Sequence, residues 1–208
     1  ILQNPMIDVI EPKSEKPPKV VRALEIDEQQ MLTNYLMNIP TSSEIYRVAY
    51  LIQMYLGLRI GEALALKIDD IDLEKNILHV RRTMTFDAEH KLIVGDLTKS
   101  IAGVRDIPIP DFVKTEIQSQ MQLAQNHKES LLFVNTKGNY ADPKNANKFL
   151  KKTLKQVGIT DISTHSLRHT YGTRCIEAGM RAVALQRLMG HSDISITLNT
   201  YVSILNKY

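Results

Sequence analysis

Cysteine and long apolar runs are almost missing from the 208 residues of this chain. The single cysteine, Cys175, cannot form a disulfide within the chain, which fits a reducing compartment. No stretch approaches the ~18 uninterrupted apolar residues that a membrane-spanning helix needs. With 43% apolar and 24% charged residues, the composition excludes disorder and a small disulfide-held scaffold. We expect a soluble intracellular protein with one large domain or two small ones.

The excess of positive charge is small, at +3, but it is unevenly distributed. Residues 1–104 contain 12 Lys and Arg against 15 Asp and Glu, whereas residues 105–208 contain 14 against 8. The second half would therefore attract a polyanion such as a nucleic-acid backbone. A solvated basic face is the alternative explanation of the same bias.

The first 20 residues have the composition of an extended linker. Four of the eight prolines fall in residues 1–18, where they alternate with lysines. The sequence also begins at Ile1 and not at a methionine. We therefore expect residues 1–20 to connect a missing N-terminal domain to a compact domain that spans residues 21–208.

Helical periodicity dominates the compact part of the chain. A capping box at 41–44 precedes apolar residues at helical spacing up to Leu56, and Gly57 is a natural end for that helix. Residues 77–109 alternate instead, which predicts one small antiparallel sheet. Other helices are predicted at about 27–37 (with Asp27 as N-cap), 60–66, 111–126, 143–157, 164–178, 181–189 and 193–200. The predicted fold class is α+β, mostly helical with a small antiparallel sheet.

Arg59 is a charged residue in the apolar stretch Leu-Gly-Leu-Arg-Ile-Gly-Glu-Ala-Leu. An arginine among buried neighbours needs a partner, and Glu62, three residues later, can form an ion pair with it. Two interpretations stay open. The pair is either purely structural, or Glu62 orients the guanidinium as a bidentate ligand for a phosphate in a cleft.

Two further basic positions suit an anionic ligand. His165 and Arg168 lie three residues apart at the start of a predicted helix, and the N-terminal end of a helix favours a phosphate. Ordinary surface residues are the alternative. Lys99 lies in a polar stretch between two predicted strands, on or near a β-hairpin loop, where it is either solvated or a general acid.

Near the end of the sequence, His191 precedes Tyr201 by ten residues. The tyrosine is either a packing residue or a nucleophile, and the second role requires nearby positive charge to deprotonate a phenol with a pKa of about 10. His165, His169 and His191 superficially resemble a three-histidine metal site. The glutamate of H-E-x-x-H is missing, and an arginine within the motif would repel a cation, so we predict no metal.

In this order, the six candidate side chains resemble the active-site set of the tyrosine recombinases, the integrases of phages and conjugative transposons: Arg59, Lys99, His165, Arg168, His191 and Tyr201. Residues 57–72 are similar to the family's first-arginine box. Thr98 and Lys99 followed by 104–109 are similar to its lysine hairpin, and 165–170 together with 188–191 and 200–201 to its C-terminal box. The linker is similar to the segment that precedes the family's catalytic domain.

The resemblance implies site-specific cutting and rejoining of DNA by transesterification, without metal, ATP or another cofactor. Tyr201 would attack the scissile phosphate to give a 3′-phosphotyrosyl intermediate. Arg59 and Arg168 would stabilise the transition state, and Lys99 would protonate the leaving 5′-oxygen.

The remaining roles also follow from the resemblance. His165 would assist proton transfer at the tyrosine, and His191 would hydrogen-bond the phosphate. The expected partners are double-stranded DNA at attachment or transposon-end sites and further copies of the protein in a synaptic tetramer. The expected place is the bacterial cytoplasm, at the nucleoid. A catalytically silent DNA-binding module and a type IB topoisomerase-like enzyme are the alternatives.

Several basic side chains outside the six are candidates for contacts with DNA phosphates, with a solvated face as the alternative. They are Lys144, Lys148, Lys151, Lys152 and Lys155 on one predicted helix, and Arg181 and Arg187 after it.

Overall fold

A computed structural model describes residues 21–40, 45–97 and 103–205. In these ranges the helices are α1 (Ile26–Asn38), α2 (Arg47–Leu56), α3 (Ile60–Leu64), α4 (Asp111–Ala124), α5 (Pro143–Gln156), α6 (Thr164–Glu177), α7 (Ala182–Met189) and α8 (Ile194–Leu205). The strands are β1 (Ile71–Asp72), β2 (Ile77–Val80), β3 (Arg82–Phe86), β4 (Leu92–Asp96) and β5 (Arg105–Pro108). Short 3₁₀ turns occur at Ile68–Asp70 and Lys128–Ser130. The α+β prediction is confirmed.

The strands form two sheets, so the prediction of a single sheet was wrong. One sheet has the antiparallel order β1-β2-β5, with Ile77 of β2 opposite Pro108 of β5. As expected for a strand that contains a proline, β5 lies at an edge. The other sheet is the antiparallel pair β3-β4, with Arg82 opposite Asp96. The apolar run at 92–94 indicated a strand, but pairing is a tertiary property that the pattern does not contain.

The separation of the strands into two sheets changes the β-hairpin position that was predicted for Lys99. The strands on either side of it, β4 and β5, belong to different sheets, so they are not the two arms of one hairpin. Lys99 itself lies outside the described residues, as do the capping box at 41–44 and the predicted linker 1–20.

Helix α2 forms the centre of the core. Nine of its ten residues are buried, and it packs against α1, α3, α4 and α6. Burial of each large aliphatic side chain contributes about 1.5–3 kcal/mol. The Tyr50 hydroxyl of α2 also donates to the Ala146 carbonyl at 2.8 Å, which fastens α5 to the same core.

The helix ends differ from the predictions by a few residues. Glu25 and not Asp27 occupies the N-cap of α1, and its backbone N–H donates to the Glu28 carboxylate at 2.9 Å. Helix α8 continues to Leu205, five residues beyond its predicted end, because the apolar pattern persists there. In the described part of the chain, no helix combines the length and the apolar character needed to cross a membrane.

Gly57 allows the chain to turn sharply from α2 towards α3. Its φ of 73° lies in the left-handed region, as the sequence predicted for a helix end. A Cβ at this position would lie 2.3 Å from Cδ1 of Tyr171 on α6. The glycine therefore also lets α6 approach the α2–α3 turn, and this approach brings the turn against the helix that carries Arg168.

We expect Gly57→Ala to lower the free energy of unfolding by at least about 2 kcal/mol, because it adds a steric clash to an unfavourable φ. Gly138→Ala is the matched control. Gly138 has a φ of 74°, and no atom lies within 4 Å of the place that a Cβ would occupy, so only the backbone cost of about 1 kcal/mol applies. Urea unfolding followed by circular dichroism measures both, and equal losses would contradict the close approach of α6.

Candidate active site around a buried glutamate

A buried carboxylate, that of Glu62 on α3, lies among three arginines. Arg105 binds it with two hydrogen bonds, from Nη2 to Oε2 at 2.8 Å and from Nη1 to Oε1 at 3.2 Å. Arg59 Nη1 donates to Oε1 at 2.7 Å, and Arg168 Nη1 lies 3.8 Å from Oε2. Burial alone would raise the pKa of Glu62, but the bonds and charges of Arg105 and Arg59 lower it overall. Glu62 is therefore ionised at neutral pH.

The same three arginines also bind the end of helix α7. Three consecutive backbone carbonyls, those of residues 188–190, each accept a hydrogen bond from a different guanidinium. The pairs are Arg105 Nε with Leu188 at 2.8 Å, Arg168 Nη2 with Met189 at 2.5 Å, and Arg59 Nη2 with Gly190 at 2.9 Å. Carbonyls in the last turn of a helix have no partner within the helix and carry partial negative charge, so cations are favourable there.

Arg59 combines a fixed position with access to solvent. It occupies the N-cap of α3, and its backbone N–H donates to Glu62 at 2.8 Å. Its side chain is held by Glu62 and by the Gly190 carbonyl, yet it remains 44% exposed. The ion pair expected from the sequence is present, and it leaves part of the guanidinium available to a ligand.

Arg168 lies deeper, with its side chain 8% exposed on α6. Nη1 donates to the Gly57 carbonyl at 2.8 Å, so the α2–α3 turn and the end of α7 both position this group. Burial lowers the pKa of Arg168 to about 9, and the positive charge of Arg59 contributes to this shift. The guanidinium is still protonated at neutral pH.

His191 follows the left-handed C-cap Gly190 directly and is 7% exposed. Its Nδ1 lies in hydrogen-bond contact with Oγ1 of the fully buried Thr197, at 2.9 Å. Burial lowers the pKa of His191 to about 4, and the positive charges of Arg168 and Arg59 contribute to the same shift. The imidazole is therefore neutral at pH 7, with one ring nitrogen fixed by Thr197.

The cluster as a whole carries a positive charge in a mostly buried place. Three guanidinium groups share one carboxylate, which leaves two positive charges unmatched within the cluster. Burying a charge costs free energy unless a group of opposite charge lies beside it. The arrangement is therefore suited to an anion with several acceptor oxygens, such as a phosphate.

Tyr201 lies on α8, and His165 lies on α6, the helix that also carries Arg168. Tyr201 is on α8, which packs against α6 and α7, and its hydroxyl is buried with no hydrogen-bond partner among the described residues. His165 is exposed in the first turn of α6, after the N-cap Ser163. It does not share the burial of Arg168, although the two are three residues apart.

Arg105 is the member of the cluster that the sequence interpretation missed. It is 8% exposed at the start of β5, where Arg105 and Ile107 are buried and Asp106 and Pro108 are exposed. Period-two alternation therefore places an arginine on the inward face of a strand. That inward position, together with a glutamate in the apolar helix α3, was the signal available in the sequence.

The histidines do not form a metal site in the part of the chain described. There, no group of three or more His, Cys, Asp or Glu side chains is arranged to bind a metal ion. His191 is hydrogen-bonded to Thr197, and His165 is exposed.

Helix α5 presents a basic surface beside this region. Its apolar side is buried through Ala146, Leu150 and Leu154. The predicted basic side chains are all at least partly exposed: Lys144, Lys148, Lys151, Lys152 and Lys155 on α5, Arg181 at the N-cap of α7 and Arg187 on α7. Lys151 and Lys155 also line a cleft of about 620 Å³ that reaches Ser163, the N-cap of α6.

Comparison with known proteins finds similar sequences over most of the chain. Residues 22–207 match the phage integrase family. A XerC-like tyrosine recombinase of Caldanaerobacter subterraneus subsp. tengcongensis is 30% identical over 181 residues, which cover 77% of this chain and 46% of that protein. The transposase of transposon Tn916 from Enterococcus faecalis is 29% identical over 164 residues, covering 73% of this chain and 40% of the transposase. The chain thus spans about half the length of these relatives.

Solved structures show the same fold. The Tn1549 transposon integrase, in a complex with transposon right end DNA, superposes with a TM-score of 0.78 at 24% identity, over 97% of this chain and 68% of that one. The catalytic domain of bacteriophage HP1 integrase superposes with a TM-score of 0.58 at 18% identity, over 88% of each chain.

The low pKa of His191 predicts how the protein responds to acid. The unfolded imidazole binds a proton near pH 6.5 but the folded one only near pH 4, so the unfolded state takes up more protons between these values. Stability should therefore fall as the pH falls from about 6.5 to 4. An NMR titration should find a His191 midpoint near 4, with the resonance assigned through His191→Asn. A midpoint near 6.5 would contradict the burial described above.

Proposed function

The chain belongs to the phage integrase family, the tyrosine recombinases, and from this membership we propose that it is the catalytic domain of a site-specific DNA recombinase. The proposed reaction cuts and rejoins DNA through a 3′-phosphotyrosyl intermediate, and it serves the integration or excision of a mobile element. Proteins named recombinase, transposase and integrase are among its relatives, which supports this class of activity.

The observation that carries the proposal is the arginine cluster around Glu62. Attack on a phosphodiester raises the charge of the phosphate from one negative charge to two in the pentacoordinate transition state. The two unmatched positive charges of the cluster complement that state better than the ground state, which is the requirement for catalysis. Arg59 and Arg168 are the proposed ligands of the non-bridging oxygens.

In the proposed cleavage step, Oη of Tyr201 forms a bond to phosphorus while the bond from phosphorus to O5′ breaks. The tyrosine proton leaves with assistance from His165, and the O5′ leaving group receives a proton from Lys99. The Tyr201 hydroxyl is buried, and it has no hydrogen-bond partner among the described residues. In the reverse step, a 5′-hydroxyl of the partner duplex displaces the tyrosine.

The neutral His191 is proposed to hydrogen-bond the phosphate. When the Thr197 hydroxyl donates to Nδ1, the proton of the neutral ring is on Nε2, and Nε2 becomes a donor. A neutral donor fits this place, because a fourth cation would meet repulsion from Arg168, Arg59 and Arg105.

The proposal also covers DNA contacts outside the site, the linker and the assembly of protomers. The basic side chains of α5 and α7 are proposed to contact DNA phosphates. Residues 1–20 are proposed to connect a preceding DNA-binding domain to the catalytic domain 21–208, which fits the partial coverage of the longer relatives. Four protomers would assemble on two duplexes, at the bacterial nucleoid. The proposed enzyme exchanges strands between two duplexes, whereas the alternative, a type IB topoisomerase-like enzyme, rejoins the strand that it cut.

The covalent intermediate is the most direct sign of the reaction. We expect the protein, supplied with its preceding domain, to form a covalent adduct with a nicked attachment-site duplex in EDTA, visible on a denaturing gel. Tyr201→Phe should abolish the adduct, because it removes only the attacking oxygen. Tyr35→Phe on α1 is the matched control and should leave the adduct unchanged. Absence of an adduct on a validated site would refute the enzymatic proposal.

The basic face of α5 is tested by the dependence of DNA binding on salt. Replacing Lys148 and Lys151 with Gln should make the negative slope of log K against log salt shallower by about two units, one for each lost phosphate contact. Lys75→Gln with Lys91→Gln is the control pair, since these lysines are exposed near the turns of the two sheets. An unchanged slope in the α5 variant would mean that the helix is only solvated.

A further inference from the structure

Arg105 is about as deeply buried as Arg168, and the mechanism above gives it no part. Its side chain is 6% exposed. All three of its nitrogens are engaged, Nε with the Leu188 carbonyl and Nη1 and Nη2 with Glu62. It is therefore poorly placed to bind a phosphate directly, in contrast to Arg59, whose side chain is 44% exposed.

The hydrogen bonds of the other two arginines show what Arg105 makes possible. Arg168 uses one hydrogen of each terminal nitrogen on the carbonyls of Gly57 and Met189. Arg59 uses one on Glu62 and one on the Gly190 carbonyl. Each terminal guanidinium nitrogen carries two hydrogens, so both arginines retain N–H groups for a further acceptor.

Without Arg105, Arg168 would not keep its free N–H groups in the same place. Glu62 is buried, and Arg105 supplies its largest favourable interaction. Arg59 would still bind Oε1, but Oε2 would keep only the backbone N–H of Arg59. Arg168 Nη1, 3.8 Å from Oε2, would be drawn in to replace the lost bond. Arg168 would then be pulled from the carbonyls that orient it. The Leu188 carbonyl would lose its partner as well, beside the turn that carries His191.

We propose that Arg105 is a positioning residue of the phosphate site, which neutralises Glu62 and holds the end of α7 so that Arg59 and Arg168 keep their N–H groups for the scissile phosphate. The inference deepens the proposed function and rests on it. It also links β5, the strand that follows the segment containing Lys99, to the α3 turn and to the turn that carries His191.

The test compares single-turnover cleavage of a nicked duplex by variants of the protein with its preceding domain. Arg105→Gln should reduce the cleavage rate by about 10²-fold, as expected for a small displacement of catalytic groups. DNA affinity should change by less than about threefold, because the lost contact is internal. Arg105→Lys, which restores a charge without the bidentate geometry, should recover part of the rate.

A second substitution separates positioning from general damage. Adding Glu62→Gln to Arg105→Gln removes the negative charge that would draw Arg168 away from its carbonyls, so the double variant should cleave faster than Arg105→Gln alone. A rate for Arg105→Gln equal to that of the unsubstituted protein would overturn the proposal, as would a double variant that is no faster. Parallel loss of cleavage, DNA binding and thermal stability in all variants, Arg105→Lys included, would show a purely structural role and also overturn it.

A measurement without DNA keeps the two proposals distinguishable. Arg105 is one of the charges that lower the pKa of His191, so Arg105→Gln should raise the His191 titration midpoint in NMR. A raised midpoint with no adduct from the unsubstituted protein would refute the recombinase function while upholding the cluster geometry. An unchanged midpoint would refute the place given to Arg105, whatever the activity.

Discussion

The buried carboxylate of Glu62 is the interaction on which the rest of the site depends. A single negative charge, 2% exposed, brings together arginines from the α2–α3 turn, from β5 and from α6. Its burial is tolerable only because these cations surround it, and together with the carbonyls at the end of α7 it holds the cations close to one another. The cluster thus joins elements that are distant in sequence.

The end of helix α7 completes the arrangement. The carbonyls of residues 188–190 accept from the three arginines in turn, so the negative end of the helix contributes a second attraction besides Glu62. The left-handed Gly190 then directs the chain into His191 and towards α8, which carries Tyr201. The same contacts that fix the arginines therefore also fix the starting point of the segment that carries the proposed nucleophile.

Much of this could be predicted from local sequence, and the limits have a physical cause. Helix α6 and the glycine ends at Gly57 and Gly190 follow from periodicity and from φ preferences, which are local. Glu62 was recognised as a partner of Arg59 because the two are three residues apart. Arg105 was missed because its partner is 43 residues away, and the pairing of the strands into two sheets was missed for the same reason.

The cluster is proposed to bind the scissile phosphate as a charged group, and the charge of that phosphate can be removed chemically. In a methylphosphonate, a methyl group replaces one non-bridging oxygen and the linkage is neutral. The direct measurement is the cleavage rate of Arg168→Ala on a nicked duplex with either linkage at the scissile position. We expect a loss of at least about 10²-fold on the phosphodiester and a much smaller loss on the methylphosphonate, relative to the unsubstituted protein. Equal losses on the two substrates would show that Arg168 does not act through the charge of the phosphate.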